Sequence, residues 1–208
     1  MQLAFTPKTV FIIALIAGAA WFGYATFLQD VQTDDVPELI RIHRDAVAAK
    51  KLIVKERILA VYDKAKDYQT LYEAIDDESS ITQALAIRVL TAKGEEEALG
   101  KLVDTLLNGN RVPDVDAALA EAMGAFHDED AVVPTVPKLI EMTEDSRPHE
   151  MRKAAHDALV AILESGAQVK FGTGMAARWQ ELWRTHRKHK KWVAQRKEAQ
   201  KANKSKPK

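Results

Sequence analysis

The stretch ALAIRVLTAKG (84–94) has two near copies downstream, ALAEAMGAFHD (118–128) and AHDALVAILES (155–165). The three align without a gap, at offsets of 34 and 37 residues. A period in this range is the mark of stacked two-helix units, in which each unit buries its apolar face only against its neighbours. Every copy opens on an alanine (Ala84, Ala118, Ala155), a side chain small enough for a neighbouring helix to approach closely.

Working outward, each copy is the second member of a predicted helix pair: 68–75 with 80–92, 95–107 with 115–126, and 131–143 with 149–163. The breaks fall at DDESS, AKGEE, NGNRVPD, HDED and EDSRP, all rich in capping and turn residues. No strand-like alternation of comparable length appears, and VKF (169–171) is too short to change the class. The expected fold is therefore all-α, a short α-solenoid of helix pairs.

The third unit, AVVPTVPKLIEMTEDSRPHEMRKAAHDALVAILES (131–165), resembles a HEAT repeat of the armadillo-type families. It has a first helix with Pro134 and Leu139, a short acidic turn, then Arg152, Ala155 and Leu159. The resemblance implies that Pro134 bends the first helix and that Arg152 and Ala155 help stack adjacent units. It covers 68–165; the middle pair departs from it, with Asp116 near the place the family gives to arginine. Tetratricopeptide repeats share the period, but their Trp, Gly and Tyr signature is absent from the first helices.

Ahead of the repeats lies VFIIALIAGAAWFGYATFL (10–28), without a charged side chain. Its length as a helix, roughly 28 Å, matches the hydrocarbon thickness of a bilayer. It is read as a single transmembrane helix within an anchor segment 1–29. A cleaved signal normally has a shorter apolar region of about 7–15 residues, though Gly18-Ala19-Ala20 and Gly23-Tyr24-Ala25 offer small residues for cleavage. A core helix would have to hide bulky side chains on every face. The lipid-facing residues are Val10, Phe11, Ile12, Ile13, Leu15 and Ile16, then Trp21, Phe22, Phe27 and Leu28. Ala14 with Gly18, and Ala19 with Gly23, have the small-xxx-small spacing of packed membrane helices. Lys8 before the span and Asp30, Asp34 and Asp35 after it place the amino terminus in the cytoplasm and the repeats on the other side. Segment 30–67 reads as one long or one broken juxtamembrane helix, with Asp34 or Asp35 as N-cap and Leu39, Ile42, Ala46, Leu52, Ile53, Ile58, Leu59 and Tyr62 on its apolar face.

The chain of 208 residues has a formal net charge of zero that conceals a division. From Arg178 onward there are 12 Lys or Arg and 2 Asp or Glu, against 18 and 28 in the rest. An acidic body thus carries a basic end. In 166–192 a capping helix is expected, with Trp179, Leu182 and Trp183 closing the solenoid. Continued at 100° per residue, that helix would point Trp192 to roughly the opposite side; 193–208 is the basic tail. Arg184, Arg187, Lys188, Lys190, Lys191, Trp192, Arg196 and Lys197 are the candidate contacts for a protein partner or an anionic lipid surface.

With no cysteine, thiol chemistry and disulfides are excluded. FGTG (171–174) lacks the strand–helix context of a phosphate cradle, and His186 and His189 sit among cations that would repel a metal ion. No catalytic residue, metal site or cofactor is assigned. The expected function is a membrane-anchored scaffold or adaptor without enzymatic activity. Nucleic-acid binding through the tail is disfavoured by the acidic body, and a HEAT-like lyase or glycosylase would rest on fold analogy alone.

Overall fold

A computed structural model gives the fold, described for residues 29–65, 68–109, 112–164 and 169–204. The predicted span 10–28, with every residue assigned to lipid contact or to membrane helix packing, lies outside the described residues. Among the described residues there are helices and no strands, and no helix is long and apolar enough to cross a membrane. The chain divides into two compact units, Met1–Thr70 and Leu71–Lys208.

In the first unit a short 3-10 turn, Gln29–Gln32, precedes α1 (Val36–Asp45) and α2 (Ala48–Ala65). Pro37 stands in the first turn of α1, where its missing N–H costs nothing. Asp35 occupies the N-cap position without a side-chain capping bond. Asp34 is used differently: its carboxylate accepts from Arg57 on α2, whose guanidinium also reaches the Gln32 and Thr33 carbonyls. Of the two expected readings of 30–67, the broken helix is the one observed, because Ala46 turns to an extended conformation (ψ 151°). Leu39, Ile42 and Ile58 are buried as expected, but Val54 and Val61 complete the core while Leu52 is 61% exposed.

The second unit contains the pairs. α3 (Gln69–Ala74) leads into α4 (Ser80–Ala92), α5 (Glu96–Asn108) into α6 (Pro113–Ala125), and a 3-10 segment, Asp130–Thr135, continues as α7 (Val136–Met142) before α8 (His149–Ile162). The helix starts follow local chemistry. Ser79 accepts from the Thr82 N–H at the head of α4, Glu96 and Glu97 sit at the positive end of α5, and Pro113 opens α6. α4 ends where Gly94 adopts a left-handed φ of 63°, letting the Glu95 N–H reach back to the Leu90 carbonyl. Pro134 lies inside the 3-10 segment, and α geometry begins only at Val136.

The second helices form one row, α6 packing between α4 and α8, while α5, the 3-10 segment and α7 form the other. Composition explains the closeness of the first row. Ala84, Ala118 and Ala155 are all buried. A Cβ on Gly124 of α6 would stand 3.1 Å from the Ala158 Cα of α8, so the two backbones nearly touch. Leu85, Leu90, Leu102, Leu119, Leu139 and Leu159 fill the space between rows. Each fully buried leucine contributes about 1.5–3 kcal/mol of transfer free energy. Buried Thr105, Thr135 and Thr143 donate to carbonyls three or four residues earlier on their own helices, which removes the cost of hiding their hydroxyls.

After α8 the chain forms α9 (Met175–Thr185) and α10 (Arg187–Lys204). α9 lies beside α7 and so extends the first-helix row, while α10 packs on α9 and on the 3-10 segment. The expected continuous helix through Trp192 is corrected here. His186 is extended (ψ 146°) and separates two helices, and its ring Nδ1 accepts from the Lys188 N–H at 3.2 Å. A histidine thus caps α10, a role normally filled by Ser, Thr, Asp or Asn.

Candidate functional site

Two surfaces of the repeat unit carry side chains not consumed by the core. The first is the basic carboxy-terminal end. Trp179 on α9 is fully buried, and its Nε1–H donates to His156 Nδ1 on α8 at 3.2 Å. That bond fixes the tautomer of His156 with its proton on Nε2. Burial, opposed by Asp157, pushes the His156 pKa below its ordinary value. Phe171 lies edge-on to both His149 and His156. Arg152 sits over the Phe171 ring, holds Asp145 at 2.7 Å and donates to the Gly172 carbonyl. Asp145 also accepts the Gly174 N–H, and Gly174 starts α9 with a left-handed φ of 69°. FGTG is therefore a turn that seats α9, and Arg152 ties that turn to the repeat preceding it.

α10 is built onto this platform. The break at His186 brings Trp192 back against Trp183, with ring centroids 6.0 Å apart and His189 between them in contact with both. Trp192 therefore points toward the body. Arg187 makes a two-pronged contact with Glu164 at 2.9 and 3.0 Å. Lys188 donates to the Ile162 carbonyl at 2.8 Å and lies 3.8 Å from Glu164. Lys191 reaches Asp130 at 2.7 Å, and its ammonium holds the Asp130 carboxyl below the usual carboxylate range. Burial, then Arg187 and Lys188, push the His186 pKa down, which keeps its capping nitrogen free to accept.

Of the eight predicted contact residues, four are engaged with the body: Arg187, Lys188 and Lys191 through these polar contacts, Arg187 and Lys191 staying 73% and 59% exposed at their side chains, and Trp192 through its ring. Arg196 stacks on the Trp192 ring at 4.9 Å and Arg184 lies 3.7 Å from Glu181. Lys190 and Lys197 are exposed. Of their acidic partners, Asp130 belongs to the loop HDED, whose carboxylates read from the sequence as able to face a basic partner or equally to cap a helix; Glu164 was not singled out, its signal being only the excess of negative charge in the body.

The second surface is the outer face of the second-helix row. Between α6 and α8 lies a groove of about 320 Å³. Its floor is Gly124, Ala154, Ala158 and Ala161, and its rim carries Glu121, Glu150, Asp157 and Lys153. Arg88 on α4 pairs with Glu121 across the row at 2.9 Å. The groove follows from the small residues that let α6 and α8 touch: their helices meet at the backbone, and charged side chains stand up on either side. Among the described residues, no group of three or more histidine or acidic side chains is arranged to hold a metal ion.

Searches of curated proteins and of solved structures found no match. Residues 68–160 match the family model described as HEAT repeats, and the match coincides with the stacked pairs from α3 to α8. Sequence match and helix stacking together support a HEAT-repeat protein, with these repeats filling a little under half of the chain.

Proposed function

We propose that the protein is a single-pass, membrane-anchored HEAT-repeat scaffold that recruits a protein partner, as an accessory subunit of a membrane complex, without covalent chemistry of its own. The observation that carries this reading is the exposed face of the α4–α6–α8 row. It presents charged side chains and a shallow groove on a rigid stack, the arrangement by which solenoids hold extended partners. The apolar stretch 10–28 supplies the anchor, and the charges flanking it place the amino terminus in the cytoplasm and the repeats on the other side.

Photo-crosslinking from Glu121, Lys153 and Asp157 in native membranes tests the scaffold. A discrete adduct of higher mass at these positions, absent from probes at exposed positions of α5, supports it; equal, diffuse labelling at both faces sinks it. Carbonate extraction tests the anchor separately, since a chain released by alkaline washing is not integral. Protease protection in sealed vesicles of known orientation tests the topology.

A further inference from the structure

The ion pairs of α10 divide its cations into two sets. Arg187, Lys188 and Lys191 are turned to Glu164, Ile162 and Asp130 of the repeat body. Lys190 and Lys197 are exposed, lie seven residues apart on the helix, and so share one stripe with Ala194, on the side away from Trp192. Neither makes an ion pair among the described residues. Because α10 is already fixed to the body through its other side, these lysines are presented outward without further ordering cost.

We propose that this outer face of α10 rests on an anionic bilayer surface, the occupant being a layer of lipid phosphate headgroups. Charge complementarity is the first ground, and the chemistry of the face selects among anionic partners. A protein interface needs a buried anchor, most often Trp, Tyr or Arg at its centre. Here Trp192 is committed to Trp183 and Arg196 to Trp192, and Arg187, seven residues before Ala194 and 73% exposed, is already paired with Glu164, so the cations the outer stripe leaves without an ion pair among the described residues are lysines. Lysine is a point charge that needs no fixed partner geometry, whereas carboxylate recognition favours the arginine fork. A diffuse phosphate surface asks only for charge, and the absence of apolar side chains on the stripe seats the helix on headgroups without inserting it. The inference rests on the anchored reading to the extent that segment 10–28 holds the chain at a bilayer, which makes the lysine contact intramolecular and raises its effective concentration.

The chain has no cysteine, so Ala194→Cys provides a unique labelling site at the centre of the stripe. The full-length chain, labelled there with a fluorescent donor, is reconstituted in lipid nanodiscs carrying a headgroup acceptor dye, with neutral phosphatidylcholine alone or with phosphatidylglycerol added. Each lysine at an anionic surface adds roughly fivefold to the ratio of docked to free helix. Energy transfer is expected to rise in anionic discs and to return to the neutral level at about 0.5 M salt, where the Debye length is roughly 4 Å. The pair Lys190→Glu and Lys197→Glu, which leaves the inward ion pairs intact, should lower the docked ratio by at least about 25-fold.

Transfer that is the same in neutral and anionic discs, or that survives both charge reversals, overturns the proposal. Cross-linking of two copies through position 194, independent of lipid charge, would assign the face to a second copy and overturn it as well. Incorporation into neutral discs reports on the anchor alone. If the chain enters neither kind of disc the anchored reading fails, and the same labelled chain mixed with preformed discs then decides the lysine contact: transfer to anionic discs alone upholds it, and none refutes it.

Discussion

Two glycines inside helices provide the sharpest test of the repeat stack. Gly100 lies within α5 and Gly124 within α6, and replacing glycine by alanine in a helix interior gains about 1 kcal/mol from propensity. At Gly100 an added Cβ meets nothing within 4 Å, so Gly100→Ala should keep the whole gain. At Gly124 the same methyl would stand 3.1 Å from the Ala158 Cα and 3.4 Å from its Cβ. The nearer atom is backbone, so relief requires α6 and α8 to move apart, and such overpacking costs about 1–3 kcal/mol. Gly124→Ala should thus lie between neutral and about 2 kcal/mol destabilising once the propensity gain is set against the strain. The two variants are expected to differ by about 1–3 kcal/mol, or roughly 2–10 °C in melting temperature for a chain of this size. Thermal unfolding of the full chain in mild detergent, followed by far-ultraviolet circular dichroism, measures the difference. Removing the Ala158 methyl should not rescue Gly124→Ala, because the closest contact is to the Cα. If Gly124→Ala raises the melting temperature as much as Gly100→Ala, the two helices do not approach this closely and the stacking described above is wrong.

Trp179→Ala should cost about 3–5 kcal/mol in urea unfolding from lost burial. Trp179→Phe should cost about 1–3 kcal/mol, because His156 Nδ1 is left buried without its donor; a Trp179→Phe variant as stable as the parent would deny the hydrogen bond a role. Both His156 and His186 have pKa values lowered by burial, so the unfolded chain takes up protons first as pH falls. Their contribution is full above about pH 6.5 and is lost as pH falls through that value toward their folded pKa values, at no more than about 1.4 kcal/mol per pH unit per histidine. Urea midpoints between about pH 7.5 and 5.5 should record this loss, and His156→Gln with His186→Asn should flatten it; an unchanged slope would place the titration elsewhere. A double-mutant cycle on Arg187 and Glu164, 73% and 55% exposed at their side chains, should return about 0.2–1 kcal/mol. A coupling well above that would mean α10 is held more tightly than its exposed ion pairs allow.

The repeat unit was the most legible part of the chain, and for a physical reason. A helix squeezed between two others must carry small residues where backbones meet and large ones where rows meet, so Ala84, Ala118 and Ala155 kept the same phase in all three copies. The resulting segmentation matches the helices from α4 to α8 closely. Local hydrophobic periodicity was less reliable ahead of the repeats. In 30–67 the reading left one long or one broken helix open and counted Leu52 as apolar by residue type, although at 100° per residue it stands roughly opposite Leu39, whereas Val54 and Val61 lie on the Leu39 side and are buried. No proline or glycine marks the turn at Ala46, and the sequence gives no local warning of it.

An unforeseen break governed the basic end, with a larger consequence for the candidate site. Projecting one helix through His186 put Trp192 opposite Trp183 and left all the nearby cations equivalent, a uniformly charged extension. His186 is not a residue that normally signals a helix start, but with its ring nitrogen unprotonated it accepts the second N–H of α10 and redirects the chain. Once redirected, the helix can lay Lys191 against Asp130, 61 residues away in the chain, and Arg187 against Glu164. Asp130 was legible as a loop carboxylate able to face a cation and Glu164 only as part of a net negative charge, since a carboxylate at a turn is equally a capping residue until the fold brings a cation to it. Two groups of lysines that are indistinguishable in sequence thereby acquire different tasks, one set binding α10 to the body and the other facing away from it. Neutralising the inward set should release α10 while leaving the outward lysines free; neutralising the outward set should leave α10 docked. Hydrogen exchange of the α10 amides separates the cases: Arg187→Ala with Lys191→Ala should speed exchange along the helix, and Lys190→Ala with Lys197→Ala should not. Equal acceleration by both pairs would show that helix propensity and total charge hold α10, and not the particular contacts to Glu164 and Asp130.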